Sequence, residues 1–250
     1  MKEFIVDDAA AKKYKRKSLV AFIIFFAMIG LGVSGWIWLR NSPKESGALA
    51  PLRKVLDLNE QVYSGLYSTQ HLIKEYPKSK AAKKARVNGD IGLDNFDASK
   101  WRLQIVKATG DTLFVTMDEI KKLPKIDVVF NFKCIEGWSQ ITWWSGTRFS
   151  ELIKQYGLDK EAKMKFVGMK TPDEKYYVGI DMPSLLQQQT ILCYELNGKP
   201  LPMNQGYPLR LIIPVKYGVK HLKRIGTLSF SNTRPPDYWA EKGYDYYTGL

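Results

Sequence analysis

A run of 22 residues without a charged side chain, at positions 18–39, constrains this chain more than any other feature. The run is rich in Phe, Ile, Leu and Val, and it is long enough to cross the hydrocarbon layer of a bilayer as a helix. Trp36 and Trp38 lie at its C-terminal end, where amphipathic rings favour the membrane interface. The sequence therefore predicts one N-terminal transmembrane helix.

Basic residues flank this run unequally and predict its orientation. Five of them fall within 12–17, whereas Arg40 and Lys44 lie on the other side. Because positive charge favours the cytoplasmic side, we expect a cytoplasmic N-terminus and an extracytoplasmic remainder. The apolar core of a cleaved signal peptide is shorter, and the small-residue cleavage candidate at 48–50 is followed by proline. We therefore expect a single-pass anchor that is not cleaved.

The net charge limits which kinds of molecule this chain can bind, and the cysteine count limits its disulfides. The chain of 250 residues has a formal net charge of +13, and nine of these charges lie beyond residue 40. Such a basic extramembrane part favours an anionic partner, which could be nucleic acid, anionic lipid or a phosphorylated cofactor. No helix-turn-helix, zinc finger or RNA-binding aromatic pair is recognisable, so we expect no nucleic-acid partner. Two cysteines cannot form a disulfide framework.

The pattern along the chain predicts four segments and a mixed α+β fold. Beyond a helical region at 52–76, short strand-like runs alternate with turns, without a repeat or a regular strand-helix alternation. This argues against a doubly wound parallel sheet. The predicted segments are a cytoplasmic basic segment at 1–17, a transmembrane anchor at 18–39, a linker and helical segment at 40–85, and a folded domain at 86–250.

Individual strands and helices of the domain can be predicted from the alternation of apolar and polar residues and from the turn residues between them. The basic run at 78–86 is expected to be a solvated connector. Short helices are predicted at 118–122 and 150–156. The predicted strands are 101–106, 111–115, 128–132, 165–169, 176–180, 191–196 and 209–214.

Cys134 follows one of these strands and opens a glycine-containing turn. A thiol at such a position can face a cleft, and thiolate sulfur is the soft ligand that redox metals prefer. The alternative is that Cys134 is a small buried hydrophobe, which is the usual role of a free cysteine. Cys193 lies inside an apolar strand and is expected in the core.

A second chemically informative segment spans 197–223. Arg210 enters an apolar strand, where its five donors need an anion or several carbonyls. Lys216, Lys220 and Lys223 follow closely, so a phosphate clamp is one interpretation. A surface ribbon with ordinary basic residues is the other.

Taken in order, four segments resemble the sulfite oxidase superfamily of molybdopterin enzymes. They are Cys-Ile-Glu-Gly-Trp-Ser at 134–139, Trp-Ser-Gly at 144–146, Gly-Lys-Pro-Leu-Pro at 198–202, and the run from Pro to Lys at 208–220. The chain is most similar to the bacterial branch that contains the catalytic subunit of periplasmic protein-methionine-sulfoxide reductase. The resemblance runs from about Arg86 to the C-terminus and implies a sulfite-oxidase-type mixed α+β molybdopterin-binding domain.

The resemblance also implies a cofactor and the residues that hold it. The cofactor would be molybdenum-molybdopterin, with Cys134 as both the catalytic residue and the metal ligand. The cofactor would perform oxygen-atom transfer while the protein positions it. Gln205 stands where the family usually has Asn or His. The residues implied to bind the cofactor are Asn88, Thr171, Gln205, Arg210, His221 and Lys223.

Departures from sulfite oxidases favour reduction of a sulfoxide or a related oxide, either a small molecule or protein-bound. Glu136 follows the cysteine where sulfite oxidases have cationic residues, and a carboxylate there would repel sulfite. The Tyr and Trp residues at 238–244 are expected to pack the domain rather than touch substrate. No haem, flavin or iron-sulfur motif is recognisable, so electrons are expected from a membrane b-type cytochrome or another quinol-linked carrier.

The resulting prediction is a membrane-anchored oxidoreductase of the bacterial cytoplasmic (inner) membrane, with its catalytic domain in the periplasm. Three alternatives stay open at this point. They are sulfite-oxidase-like oxidation, a non-catalytic subunit that retains the fold, and a cysteine transferase or hydrolase. The last would need a base beside the thiol, and the only histidines in the sequence are His71 and His221.

Overall fold

The computed structural model describes residues 8–67, 70, 72–94 and 96–249, so His71 and the first seven residues of the predicted cytoplasmic segment lie outside it. Helix α1 (Asp8–Arg40) covers the whole predicted apolar run, and none of its residues is buried. By length and composition alone, this helix could cross a membrane.

A short hairpin, β1 (Lys44–Glu45) and β2 (Ala48–Leu49), leads into helix α2 (Ala50–Leu66). The prediction that this helix continues to residue 76 was wrong. Tyr67 is already extended, and Tyr76 donates its backbone N–H to the carbonyl of Val129 at 2.9 Å. The chain leaves the helical conformation because this stretch hydrogen-bonds to a strand of the domain.

The domain beyond residue 100 is a mixed α+β structure, as the sequence predicted. It contains two five-stranded sheets and three short helices. The helices are α3 (Met117–Lys121), α4 (Phe149–Gln155) and α5 (Met182–Leu185). The strands are β3 (Leu103–Val106), β4 (Thr112–Val115), β5 (Lys125–Lys133), β6 (Ser139–Arg148), β7 (Phe166–Lys170), β8 (Tyr177–Asp181), β9 (Ile191–Leu196), β10 (Lys199–Pro200), β11 (Arg210–Ile212) and β12 (Thr227–Ser231).

The first sheet has the strand order β10-β9-β6-β5, with β11 also paired to β9, and all its pairs are antiparallel. The second sheet has the order β4-β3-β12-β7-β8, in which only the β12–β3 pair is parallel. Each strand predicted from the sequence overlaps an observed one. Strands β6, β10 and β12 were not predicted. In β6, polar residues and two Trp interrupt the apolar alternation.

The five basic side chains of the run at 78–86 are exposed, but the run is held against the domain rather than being a loose connector. Ala82 donates its N–H to the carbonyl of Ile141, and Lys78 pairs with Asp127 while its ammonium lies over the Trp143 ring. Together with the bridge near residue 75, these contacts tie the segment at 72–86 against strands β5 and β6. The basic residues of this run therefore belong to an extended segment that packs along the first sheet.

Candidate cofactor site

One cavity, of about 240 Å³, collects most of the chemically informative residues. It lies where the end of β5 meets the segment after β11, the chain at 88–91 and the C-terminal segment. Its walls combine one thiol, two cationic side chains and several rings. The lining residues are Asn88, Gly89, Ile91, Phe132, Cys134, Ile135, Glu136, Tyr176, Arg210, Gly218, Val219, His221, Lys223, Trp239 and Tyr244.

Cys134 occupies the turn that joins β5 to β6. Its backbone N–H donates to the carbonyl of Trp138 at 2.9 Å, and its own carbonyl accepts from Gly137 at 3.1 Å. Gly137 has a φ of +86°, a left-handed conformation that favours glycine, so the turn depends on this residue. The turn directs a nearly buried thiol into the cavity, where Asn88 Nδ2 donates to its Sγ at 3.4 Å. Burial raises the pKa of the Cys134 thiol.

Arg210 is a buried cation without an acidic partner. It is 3% exposed, and one of its terminal nitrogens donates to the backbone and side-chain oxygens of Gln205. The guanidinium carbon lies 4.5 Å from the ring centroid of Trp144. Its Nε has no hydrogen-bond partner within the described part of the chain. Burial lowers the pKa of Arg210 to about 10.

Lys223 is a second such cation in the same cavity. Its ammonium donates to the carbonyls of Asn88, Gly89 and Asn204, at 2.6, 2.7 and 3.0 Å. Burial and the neighbouring Arg210 lower the pKa of Lys223 to about 7. Neither cation forms an ion pair with any carboxylate among the described residues. Two basic side chains that face one cavity and form no ion pair within the described part of the chain are suited to an anion.

His221 lines the cavity with its ring rather than with a free nitrogen. Nδ1 accepts from the backbone N–H of Ile213, and Nε2 donates to the carbonyl of Lys216. Burial lowers the pKa of His221 to about 3, so the ring is neutral at pH 7. The ring packs 4.6 Å from that of Phe132. His221 therefore helps to define the shape of the cavity and offers no free ring nitrogen to a ligand.

Two of the predicted contact residues lie behind the cavity rather than in its wall. Gln205 holds Arg210 and donates to the carbonyl of Arg86. The hydroxyl of Thr171 bonds to Asp173 and accepts from the backbone N–H of Tyr176. Both residues thus position groups that do line the cavity.

The phosphate-clamp interpretation does not hold for two of the three lysines, Lys216 and Lys220. Lys216 pairs with Asp181 at 2.8 Å, and Lys220 pairs with Asp237. All four side chains of these pairs are mostly or fully buried, and neither lysine lines the cavity. Each lysine is held by a buried carboxylate, a partner that its position in the sequence did not reveal.

Aromatic residues distant in sequence complete the walls. Trp239 and Tyr244 line the cavity, although the C-terminal aromatics were expected only to pack the domain. Tyr176 lines it as well and donates its hydroxyl to the carbonyl of Val219. These residues lie about 40 to 110 positions from Cys134, and no local motif marks them.

A comparison with protein families identifies the family of this chain. The family model of the oxidoreductase molybdopterin binding domain matches residues 90–239, more than half of the chain. This chain belongs to that family. It is a molybdopterin-dependent oxidoreductase of the sulfite oxidase superfamily, and its cofactor is molybdopterin with molybdenum.

Related proteins place the chain near methionine-sulfoxide reductases. A putative protein-methionine-sulfoxide reductase subunit, YedZ1 of Azospira oryzae, is 36% identical over 208 residues, which cover 82% of this chain and 77% of that protein. The catalytic subunit MsrP of Campylobacter jejuni is 28% identical over 62% of this chain and 58% of its own length. Mouse mitochondrial sulfite oxidase is 26% identical, over 62% of this chain and 33% of its own length.

A solved structure supports the fold. The sulfane dehydrogenase SoxCD from Paracoccus pantotrophus superimposes with a TM-score of 0.51 and 17% identity, covering 57% of this chain and 41% of that chain. The chain thus spans a little over half of the Campylobacter reductase and less than half of the SoxCD chain.

The residues of the cavity fit a molybdopterin. The orphaned Nε of Arg210 and the ammonium of Lys223, which lines the same cavity, suit a phosphate group. No cluster of three His, Cys, Asp or Glu that could hold a metal ion occurs in the part of the chain that the structure describes. A single soft ligand at Cys134 therefore suits a metal whose other ligands arrive with the cofactor.

Proposed function

We propose that this chain reduces a sulfoxide or a related oxide, with Cys134 as the thiolate ligand of the metal. The observation that carries the proposal is the convergence of Cys134, Arg210 and Lys223 on one cavity. When bound, the cofactor supplies two-electron oxygen-atom transfer chemistry. Cys134 would hold the metal, and Asn88 would orient its sulfur by donating to it. Arg210 and Lys223 would hold the phosphate.

The charge and the rings that line the cavity favour an uncharged substrate. Glu136 lines it, and its carboxylate accepts from the indole N–H of Trp138 at 2.8 Å. The Trp138 ring stacks on Phe132, with centroids 5.8 Å apart, so the carboxylate is held in place. A fixed negative charge disfavours an anion such as sulfite. Apolar rings nearby suit the thioether body of a sulfoxide, whether free or in a protein.

A substrate survey tests this proposal. The purified full-length enzyme, reduced chemically, would be assayed with methyl sulfoxides, methionine sulfoxide in peptides and amine N-oxides. Sulfite oxidation would be assayed separately with an artificial acceptor. We expect turnover of at least one sulfoxide and little oxidation of sulfite. Efficient sulfite oxidation without reduction of any oxide would overturn the assignment in favour of the sulfite-oxidase-like alternative.

The role of Glu136 predicts a change in charge selectivity. In Glu136→Gln the local negative charge is lost while the hydrogen bond to Trp138 can persist. We expect the kcat/KM for sulfite oxidation to rise by about tenfold, which corresponds to roughly 1.4 kcal/mol of removed repulsion. The kcat/KM for a neutral sulfoxide should change less than about threefold. Glu174→Gln is a matched control, because Glu174 is exposed and pairs only with Lys170. Equal changes for both substrates would contradict the electrostatic role.

The role of Lys223 predicts a change in cofactor retention. In Lys223→Gln the amide still donates to the surrounding carbonyls but carries no charge. We expect the ratio of molybdenum to protein after purification to fall about tenfold, because the positive charge that faces the phosphate is lost. Lys175→Gln serves as a control, since Lys175 is exposed and pairs with Asp94. Unchanged molybdenum content in Lys223→Gln would exclude Lys223 from the phosphate site.

We also propose that helix α1 anchors the domain on the periplasmic side of the bacterial cytoplasmic membrane and that a membrane carrier supplies the electrons. Length, composition and the basic residues before the helix support this topology. An integral-membrane b-type cytochrome or another quinol-linked carrier would fit an enzyme tethered in this way. A reporter enzyme that works only in the cytoplasm, fused after Leu250, should be inactive. Activity of that fusion would overturn the periplasmic placement.

A further inference from the structure

Helix α2 has its polar face turned toward the domain. Arg53 is 7% exposed and donates to the backbone carbonyls of Ser46, Ala240 and Tyr244. One turn further along, Arg234 pairs with Asp57 and Glu60, at 3.0 and 2.6 Å. Charged contacts therefore fix this helix to the domain.

The opposite face of α2 is apolar and exposed. At 100° per residue, its exposed large hydrophobic side chains fall within an arc of about 140°, which also contains Asn59. The most exposed of them, Leu66, is 77% exposed, and even the least exposed, Leu52, is 47% exposed. We call these residues the α2 stripe: Leu52, Val55, Leu58, Val62, Tyr63 and Leu66. An amphipathic helix normally buries its apolar face, so the stripe is expected to contact something outside the domain.

The start of α2 lies close to the end of α1. Pro43 follows Arg40 by three residues, which span at most about 11 Å. The carbonyl of Pro43 accepts from the backbone N–H of Ala50, the first residue of α2, at 2.8 Å. The intervening hairpin is packed on the domain, where a Cβ at Gly47 would collide with the backbone of Glu241 and of Gly243. The domain and α2 are thus held immediately beside the exit point of α1.

We propose that α2 lies in the interfacial layer of the membrane that α1 spans, with the α2 stripe inserted at the boundary between headgroups and acyl chains. This inference rests on the proposed anchoring by α1. The length of α2, about 25 Å, and its apolar arc match a helix that lies on a membrane. Arg40, Lys44 and Lys54 are exposed at the start of this region, where they complement anionic headgroups.

Helix α2 also contacts the segment that forms one wall of the cavity. Two of the three carbonyls that accept from Arg53 belong to Ala240 and Tyr244, and Tyr244 is part of the cavity wall together with Trp239. One short segment therefore contacts both the membrane-lying helix and the candidate cofactor site. The α2 stripe fixes the orientation of the domain and holds this wall of the cavity near the bilayer surface.

Depth-dependent fluorescence quenching tests the proposal on the full chain in nanodiscs of phosphatidylcholine and phosphatidylglycerol. Val62→Cys places a label on the α2 stripe, and Gln61→Cys places the same label on the adjacent polar side. The native Cys134 and Cys193 are buried, and unmodified protein gives the labelling background. With an environment-sensitive dye and doxyl-labelled lipids, we expect at least about threefold more quenching at position 62 than at position 61.

Equal quenching at both positions, or none at either, would overturn the proposal. Protection of position 62 in native membranes without quenching in nanodiscs would also overturn it, in favour of a membrane protein as the contact. Resistance of the full chain to carbonate extraction from membranes is measured alongside. Release by carbonate would disprove the anchoring by α1, whereas retention without quenching would disprove only the docking of α2.

Discussion

Replacement of Cys134 with serine is expected to abolish oxygen-atom transfer, with turnover reduced by more than about 100-fold. Changes to groups that merely support a metal ligand already cost 10- to 100-fold, and serine replaces the soft sulfur ligand itself. The fold should persist, because the hydroxyl is smaller than the thiol and the turn is held by backbone hydrogen bonds. Turnover and molybdenum content of the purified protein, together with its circular dichroism spectrum, check this expectation.

Cys193→Ala is the control for Cys134→Ser. Cys193 is fully buried in an apolar cluster of the first sheet, and burial raises the pKa of its thiol to about 12. Its removal should lower stability while leaving turnover per folded, molybdenum-loaded molecule within about twofold. Wild-type turnover in Cys134→Ser would show that the thiolate is not an essential ligand. It would leave the buried-hydrophobe interpretation as the remaining explanation.

Replacement of Asp237 with asparagine is expected to destabilise the domain by about 3 to 5 kcal/mol, because it leaves the ammonium of Lys220 buried without a counter-charge. Both side chains are 2% exposed. Asp237 Oδ2 also accepts from the backbone N–H of Gly179, and asparagine loses this bond, whereas its remaining oxygen can still accept from Trp239 and Ala240 as Oδ1 does. The melting temperature in detergent should fall by roughly 6 to 20 °C, since 1 kcal/mol corresponds to about 2 to 4 °C at this size.

The matched control is Glu195→Gln, which breaks the pair between Lys125 and Glu195 at the surface. The Lys125 side chain is 51% exposed, and pairs of this kind contribute less than about 1 kcal/mol. The double variant Lys220→Met, Asp237→Asn should recover part of the stability lost in the single variant, because no unpaired charge stays buried. A similar small shift for Asp237→Asn and Glu195→Gln would show that the pair contributes little.

The sequence revealed the residues whose environment is set by their own segment. Cys134 could be found because strand and turn signals surround it, and Arg210 because a guanidinium in an apolar strand demands a partner. Lys216 and Lys220 share that basic segment, but their partners Asp181 and Asp237 come from other elements. Spacing along one segment cannot show which side of a strand a distant carboxylate will occupy.

The same distinction holds for the fold. Short strands with alternating burial, such as β3, were predicted well because one face is buried and the other exposed. The end of α2 was predicted wrongly, because the chain after it forms a backbone hydrogen bond with β5, a strand that is distant in the sequence. Trp239 and Tyr244 were predicted to pack the domain. Only the structure, which brings them close to the turn that carries Cys134, shows that they line the cavity.

The three carbonyls that hold Lys223 also set an order of events during biosynthesis. Asn88 and Gly89 come from the start of the domain, whereas Asn204 and the lysine itself come from its last third. A nascent chain on the ribosome has the early carbonyls but neither the lysine nor the rings at 239–244. The complete site therefore exists only after translation is almost finished, so capture of the cofactor follows synthesis of the domain rather than accompanying it.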